Sequence, residues 1–310
     1  YLDQHHAHNF YPTFLVHDER RVSLPNVVPR EGKWGQGVAT RKQTYSHDLI
    51  VAHAIEFIDD HKDEPFFLFM PVTIPHANNE AGKRGMEVPS LGIFADSPWP
   101  APERGFAAML ARLDRDVGRV YSRLQRHGID DRTIIMFTSD NGPHSEGGHK
   151  SGFFDSNGPL RGQKRNLTEG GIRVPLLVWH NGRGAGTVTD HVGGFQDFMP
   201  TFADLGGASE HLPETHDGIS FAPLLTGRPQ AQRRHDHLYW AFYEGGRGQA
   251  VRQGRWKLIQ QPMKSAPRLY DLESDLGETK DLAGEQPERV ASLRELMKAS
   301  YTPSDRWRFK

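Results

Sequence analysis

The feature that most constrains this chain is the run Thr133-Ile-Ile-Met-Phe-Thr-Ser-Asp140-Asn141-Gly142. An apolar, β-branched stretch ends abruptly in an acid, an amide and a glycine. It reads as a buried parallel strand delivering two oxygen ligands at its carboxyl end. In open α/β sheets, that end is where ligands and metals sit. The oxygen donors of Asp140 and Asn141 suit a hard cation such as Ca²⁺ or Mg²⁺. The dipeptide alone also has a plain structural reading, as a helix cap or an Asx turn, because Asn-Gly is a strong turn former.

Around this strand the periodicity alternates. Leu49, Ile50, Ala54, Phe57 and Ile58 share a helical face, and a strand is expected at Phe66-Phe-Leu-Phe-Met70. Loop chemistry rich in Pro and Gly covers roughly 77–103. The clearest helix is 104–127, where Phe106, Met109, Leu110, Leu113, Val117, Val120, Tyr121 and Leu124 step by three and four. Gly128 then suits the position just past a helix end. Pro175-Leu-Leu-Val-Trp179 reads as another buried strand, followed by a short helix at 197–205. Strand, helix and strand in alternation favour a parallel sheet with right-handed crossovers.

Composition shifts near Thr226–His235, a candidate boundary. Beyond it, short strand candidates at 238–243, 249–252, 256–260 and 268–272 suggest an antiparallel meander, and a helix starts near Pro287. The expected fold class is therefore α/β. It comprises a doubly wound, mostly parallel sheet flanked by helices over 1–228, and a small α+β subdomain of antiparallel sheet and helix over 229–310.

At 310 residues the chain can bury a sizeable core. Its formal net charge of −1 argues against a nucleic-acid partner and requires that any anionic substrate be held by a local cluster. The longest apolar stretch, Phe66–Val72, is too short to span a membrane. The chain has no cysteine, which excludes a disulfide framework and a thiolate metal site in this segment.

Lys164 lies in Leu160-Arg-Gly-Gln-Lys164, between glycine-bearing turns. A lysine ammonium is a compact point charge suited to a tetrahedral oxyanion, although most loop lysines are simply solvated. Glu169-Gly-Gly171 serves backbone geometry, since paired glycines allow close approach. His76 follows its strand through Pro75 and is a candidate to protonate a leaving group; the alternative is a hydrogen bond to a loop carbonyl. His5-His6-Ala-His8 matches no zinc spacing. His144, Glu146 and His149 follow Asp140-Asn141 and read either as a substrate subsite or as solvated loop residues.

Thr138-Ser-Asp-Asn-Gly142, Leu160-Arg-Gly-Gln-Lys164, Glu169-Gly-Gly-Ile-Arg-Val-Pro175 and Leu269-Tyr-Asp-Leu272 with Gly277-Glu278 together resemble the sulfatase family, in its arylsulfatase branch within the alkaline-phosphatase superfamily. The resemblance implies that Asp140 and Asn141 are calcium ligands, with Mg²⁺ the other choice. It implies that Lys164 and His76 contact the sulfate group and assist the leaving oxygen. It further implies a formylglycine nucleophile made from Cys or Ser in a C/S-x-P-x-R motif, two more metal-binding aspartates and a second Lys-His pair. None of these can be placed in this chain, and Tyr1-Leu-Asp-Gln resembles the segment that follows the family's N-terminal catalytic third. The expected substrate is a sulfated small molecule or sulfated glycan, and the expected location periplasmic or extracellular. Two other readings are a phosphodiesterase or phosphonate hydrolase of the same superfamily, and an inactive relative that binds sulfated glycans. A sheet lacking its N-terminal strands would expose apolar edges.

Overall fold

The computed structural model describes residues 1–180 and 186–306. The chain packs as two compact units, residues 1–133 with 144–156, and residues 134–143 with 157 onward.

In the first unit, α1 (Gln4–His8) is a single turn whose first amides are capped by the Asp3 carboxylate. Strands β1 (Phe14–His17) and β2 (Arg20–Ser23) form a small antiparallel hairpin in a stretch where the sequence shows little periodicity. Two helices, α2 (Ser46–His61) and α3 (Ala101–Arg126), lie side by side. Asp48 meets Arg112 through two hydrogen bonds of 2.7 and 2.5 Å, His47 meets Asp116 at 3.1 Å, and Asp59 meets both Arg123 and His127. The partners advance together along both chains, so the helices run in the same direction. Gly128 does end α3, at φ +63°, and the Ile129 amide donates back to Leu124 O. The expected face of α3 is buried at Phe106, Met109 and Leu124, with two departures: Leu110 is exposed, and the Asp116 carboxylate is buried among its ion pairs. The core is built from Phe10, Tyr11, Tyr45, Ile74, Met86, Phe106 and Met109 with their small neighbours.

The segment 66–70 alternates exposure residue by residue, as extended backbone does, with Phe67 64% and Phe69 73% exposed. Among the described residues it belongs to no β-ladder.

In the second unit, β3 (Ile134–Thr138) is followed by a long loop, the single turn α4 (Glu169–Ile172) and β4 (Leu176–His180). These strands pair antiparallel, Ile134 opposite His180 and Thr138 opposite Leu176. This corrects the expected parallel arrangement, and every ladder among the described residues is antiparallel. The physical reason is the connection. A parallel pair needs a crossover, usually a full helix, and this unit carries only one helical turn between β3 and β4. Leu177 on β4 is 63% exposed, an uncovered apolar edge.

Two short helices follow, α5 (Phe198–Gly206) and α6 (Ala222–Leu225). The meander is then found where the periodicity indicates. It runs β5 (Leu238–Phe242), β6 (Gly248–Gln253), β7 (Trp256–Gln260) and β8 (Arg268–Asp271), each strand antiparallel to the next, and ends in α7 (Pro287–Ala299). Both faces of this sheet are covered, and period-two alternation sorts the side chains. Val251, Leu258 and Leu269 pack against Leu293 and Met297 of α7. Ala250, Ile259, Tyr270 and Leu272 face the other way, against Leu167 and Ile172 of the loop before β4. Lys257 projects from that second face.

Candidate active site

The second unit brings Asp140, Asn141 and Lys164 onto adjoining turns. Asn141 Nδ2 donates to Asp140 Oδ1 at 2.5 Å, and Ser139 Oγ donates to Asn141 O at 3.0 Å, so the dipeptide forms a compact turn at the end of β3. The Lys164 amide donates to Pro143 O at 2.8 Å, which ties the lysine's backbone to that turn. Arg165 next to it sits at φ +77°.

Three glycines make this approach possible. Gly142 N donates to Gly171 O at 2.9 Å, and Gly170 N donates to Arg161 O at 2.8 Å. A Cβ on Gly142 would stand 1.9 Å from Gly170 O, and one on Gly171 would stand 2.1 Å from Asn166 O. The Glu-Gly-Gly motif is thus a backbone-on-backbone clasp. Arg161, at the start of the loop, lays its guanidinium over the Tyr270 ring at 4.9 Å.

Beneath the clasp lies a charge cluster that local sequence does not reveal. Lys257 is fully buried, and its Nζ lies 2.6 Å from Glu169 Oε1 and 3.1 Å from Glu278 Oε1. Glu169 also meets Arg173 at 2.8 Å, and its amide donates to Glu278 Oε2 at 2.8 Å. Burial pushes the Glu169 carboxyl up, but Lys257 and Arg173 outweigh it and hold the group below its ordinary value. Burial dominates at Glu278 and raises it, Lys257 notwithstanding. The available signal was a lysine inside an otherwise apolar strand, Trp256-Lys-Leu-Ile259.

His76 belongs to the first unit. Its Nδ1 contacts Ala77 O at 2.7 Å, the loop-carbonyl bond that the sequence offered as the alternative to catalysis, and its Nε2 lies 3.4 Å from Glu146 Oε2. The His8 ring stacks on it at 4.6 Å and the His144 ring at 5.8 Å. His144 accepts from the Glu146 amide and meets Pro75 O at 2.9 Å. His149 is not a solvated loop residue: it is buried, paired with Glu103 and stacked on Phe106 at 3.8 Å. His6 is likewise a core residue, bonded to Phe14 O.

Among the described residues, no group of three or more His, Cys, Asp or Glu side chains is arranged to hold a metal ion. Asp140 and Asn141 fit a hard cation in kind but not in number, since Ca²⁺ takes six to eight oxygens. No helix among those residues is long and apolar enough to cross a membrane.

Comparison with known proteins agrees with the motifs. The family model described as Sulfatase matches residues 6–208, and that of N-sulphoglucosamine sulphohydrolase, C-terminal, matches residues 158–302. Human arylsulfatase A is 31% identical over 90% of this chain and 57% of its own length. N-acetylgalactosamine-6-O-sulfatase of Bacteroides thetaiotaomicron is 28% identical over 90% of this chain and 56% of its own. The crystal structure of Ps i-CgsB in complex with k-i-k-neocarrahexaose superposes with a TM-score of 0.66, at 26% identity, over 86% of this chain and 57% of that one. The chain belongs to the sulfatase family, whose characterised relatives include sulfuric ester hydrolases. It spans somewhat more than half the length of these relatives.

Proposed function

We propose that this chain is the larger part of a sulfuric ester hydrolase, with a sulfated glycan as substrate. The observation that supports this most is the clasp between the Asp140–Gly142 turn and the Arg161–Arg173 loop, which sets the Lys164 backbone against Pro143. Sulfate-ester cleavage moves negative charge onto the non-bridging and leaving oxygens. A preorganised ammonium in a site closed to bulk water stabilises that charge. In this reading Lys164 binds the sulfate, and His76, its ring oriented by the Nδ1 bond to Ala77 O, donates a proton from Nε2 to the leaving oxygen. Asp140 and Asn141 are two of the oxygen donors to a calcium ion, which supplies further charge neutralisation when bound. The nucleophile, a formylglycine, and the remaining ligands lie outside these 310 residues, which hold no C/S-x-P-x-R motif from which to make it. The glycan assignment leans on the N-acetylgalactosamine-6-O-sulfatase relative.

The test uses protein expressed from the complete reading frame with calcium present. Sulfate release from N-acetylgalactosamine 6-sulfate or from 4-nitrophenyl sulfate, well above phosphate release from the matching phosphate esters, is the expected result. Preferential cleavage of phosphate diesters or phosphonates would reassign the chemistry within the superfamily. Glycan binding without turnover would make the chain a lectin-like relative.

A further inference from the structure

We propose that Lys257 is a positioning residue. From the meander it braces the Arg161–Arg173 loop through buried Glu169 and Glu278, and so holds Lys164 against the Asp140 turn. The proposal rests on the sulfatase reading of Lys164 and adds a role for the C-terminal sheet.

A lysine and two glutamates without solvent are expensive unless each is paired. Here each is paired across long sequence separations: Lys257 with Glu169, Lys257 with Glu278, and Glu278 with the backbone of Glu169. Glu278 reaches the amide from a left-handed backbone, φ +53°, which a non-glycine residue adopts only when its surroundings enforce it. An apolar residue at 257 would fill that face of β7 at less expense, because Ile259, Tyr270 and Leu272 already pack there. What the charges add is direction. Apolar contact tolerates sliding, whereas two carboxylates converging on one ammonium fix where Glu169 sits. A second contact repeats the pattern. Gln261, the residue just past the same strand, accepts from the Leu167 amide at 2.8 Å and donates to Arg165 O at 2.8 Å. The loop is therefore pinned on both sides of Arg165–Leu167, one residue beyond Lys164. From Glu169 the constraint passes to Gly170 and Gly171, whose carbonyls face Gly142.

The experiment compares Lys257→Met, Glu278→Gln and Lys164→Ala in protein from the complete reading frame. Two readouts are used: backbone hydrogen exchange by mass spectrometry, and kcat on 4-nitrophenyl sulfate. Lys257→Met and Glu278→Gln should each speed exchange in peptides covering 139–143 and 161–173 by about tenfold or more, while peptides of β5–β8 keep their protection. Both should lower kcat by about tenfold or more, because a misplaced charge loses its alignment with the transition state. A role in global stability alone would loosen the sheet and the loop together, and that result overturns the proposal. If Lys257→Met fails to fold, Glu278→Gln decides, since it keeps a hydrogen-bonding side chain of the same shape. Unchanged loop exchange and kcat in Glu278→Gln overturns the brace. Lys164→Ala separates the two claims. If it loses turnover while Glu278→Gln does not, only the brace falls. If it keeps turnover, the sulfatase reading of Lys164 falls and the brace's role with it.

Discussion

Replacing Gly142 by alanine isolates the clasp at the centre of this account. Gly142 does not lie in the left-handed region, so alanine meets no backbone penalty there and the whole effect is steric. The new Cβ would sit 1.9 Å from Gly170 O and 3.1 Å from Gly171 Cα. Neither neighbour is a flexible side-chain tip that can swing away. Relief requires that the two turns part by more than an ångström, which breaks the 2.9 Å bond from Gly142 N to Gly171 O. Overpacking of this kind costs about 1–3 kcal/mol. The lost hydrogen bond adds about 0.5–1.5 kcal/mol. A total of about 2–4 kcal/mol corresponds to a fall in Tm of roughly 5–10 °C for a domain of this size. Calorimetry on the variant reads this directly, and turnover should fall about a hundredfold because Asp140 and Lys164 move apart. A Tm within a degree of the parent, with turnover intact, would refute the close approach.

Three other outcomes are expected. Gly118→Ala, in the middle of α3 with nothing within 4 Å of the new methyl, should stabilise by about 0.5–1 kcal/mol, and a lowered Tm would contradict the helix and its open face there. Burial pushes the His47 ring below its ordinary pKa despite Asp116 beside it, and burial does the same to His6. The stability this represents is full above pH 6.5, the ordinary histidine value, and is lost below it, because the unfolded chain takes up protons that the folded one excludes. The urea midpoint should therefore drop between pH 7.5 and 5.5 and drop less in His47→Gln; equal slopes would remove His47 from the account. Asp140→Ala should lower the calcium content measured by elemental analysis, and retention of the full stoichiometry would contradict its role as a ligand.

Much of the fold was legible because its signals are local. Helix α3 announces itself by three-and-four spacing and the terminal Gly128, and the β5–β8 meander by short runs separated by turn residues such as Gly254, at φ +58°. Strand direction is different. Periodicity tells that Ile134–Thr138 is extended, but its antiparallel partner is set by a connection whose path no local pattern encodes. The Phe66–Met70 segment makes the same point: its alternating exposure fits the expected extended backbone, while membership of a ladder depends on a distant partner. In the candidate site, the motifs singled out Asp140, Asn141 and Lys164, which the structure sets on adjoining turns. They did not identify Lys257, because a lysine in a strand ordinarily points to water, and its partners Glu169 and Glu278 lie 88 and 21 residues away. The sequence leaves His149 undecided for a related reason: its burial is settled by Glu103 and Phe106, on α3, and not by the glycine-rich loop around it.

The central claim is that Lys164 stabilises charge in the transition state of sulfate-ester cleavage. Its most direct test is kcat of Lys164→Ala against the parent, on one sulfate ester at saturating substrate and calcium, with hydrogen exchange confirming that the 139–143 turn stays protected. Removal of one such electrostatic partner typically costs about 10²–10³-fold in kcat, and that is the expected loss. An unchanged kcat in a folded variant would contradict the account.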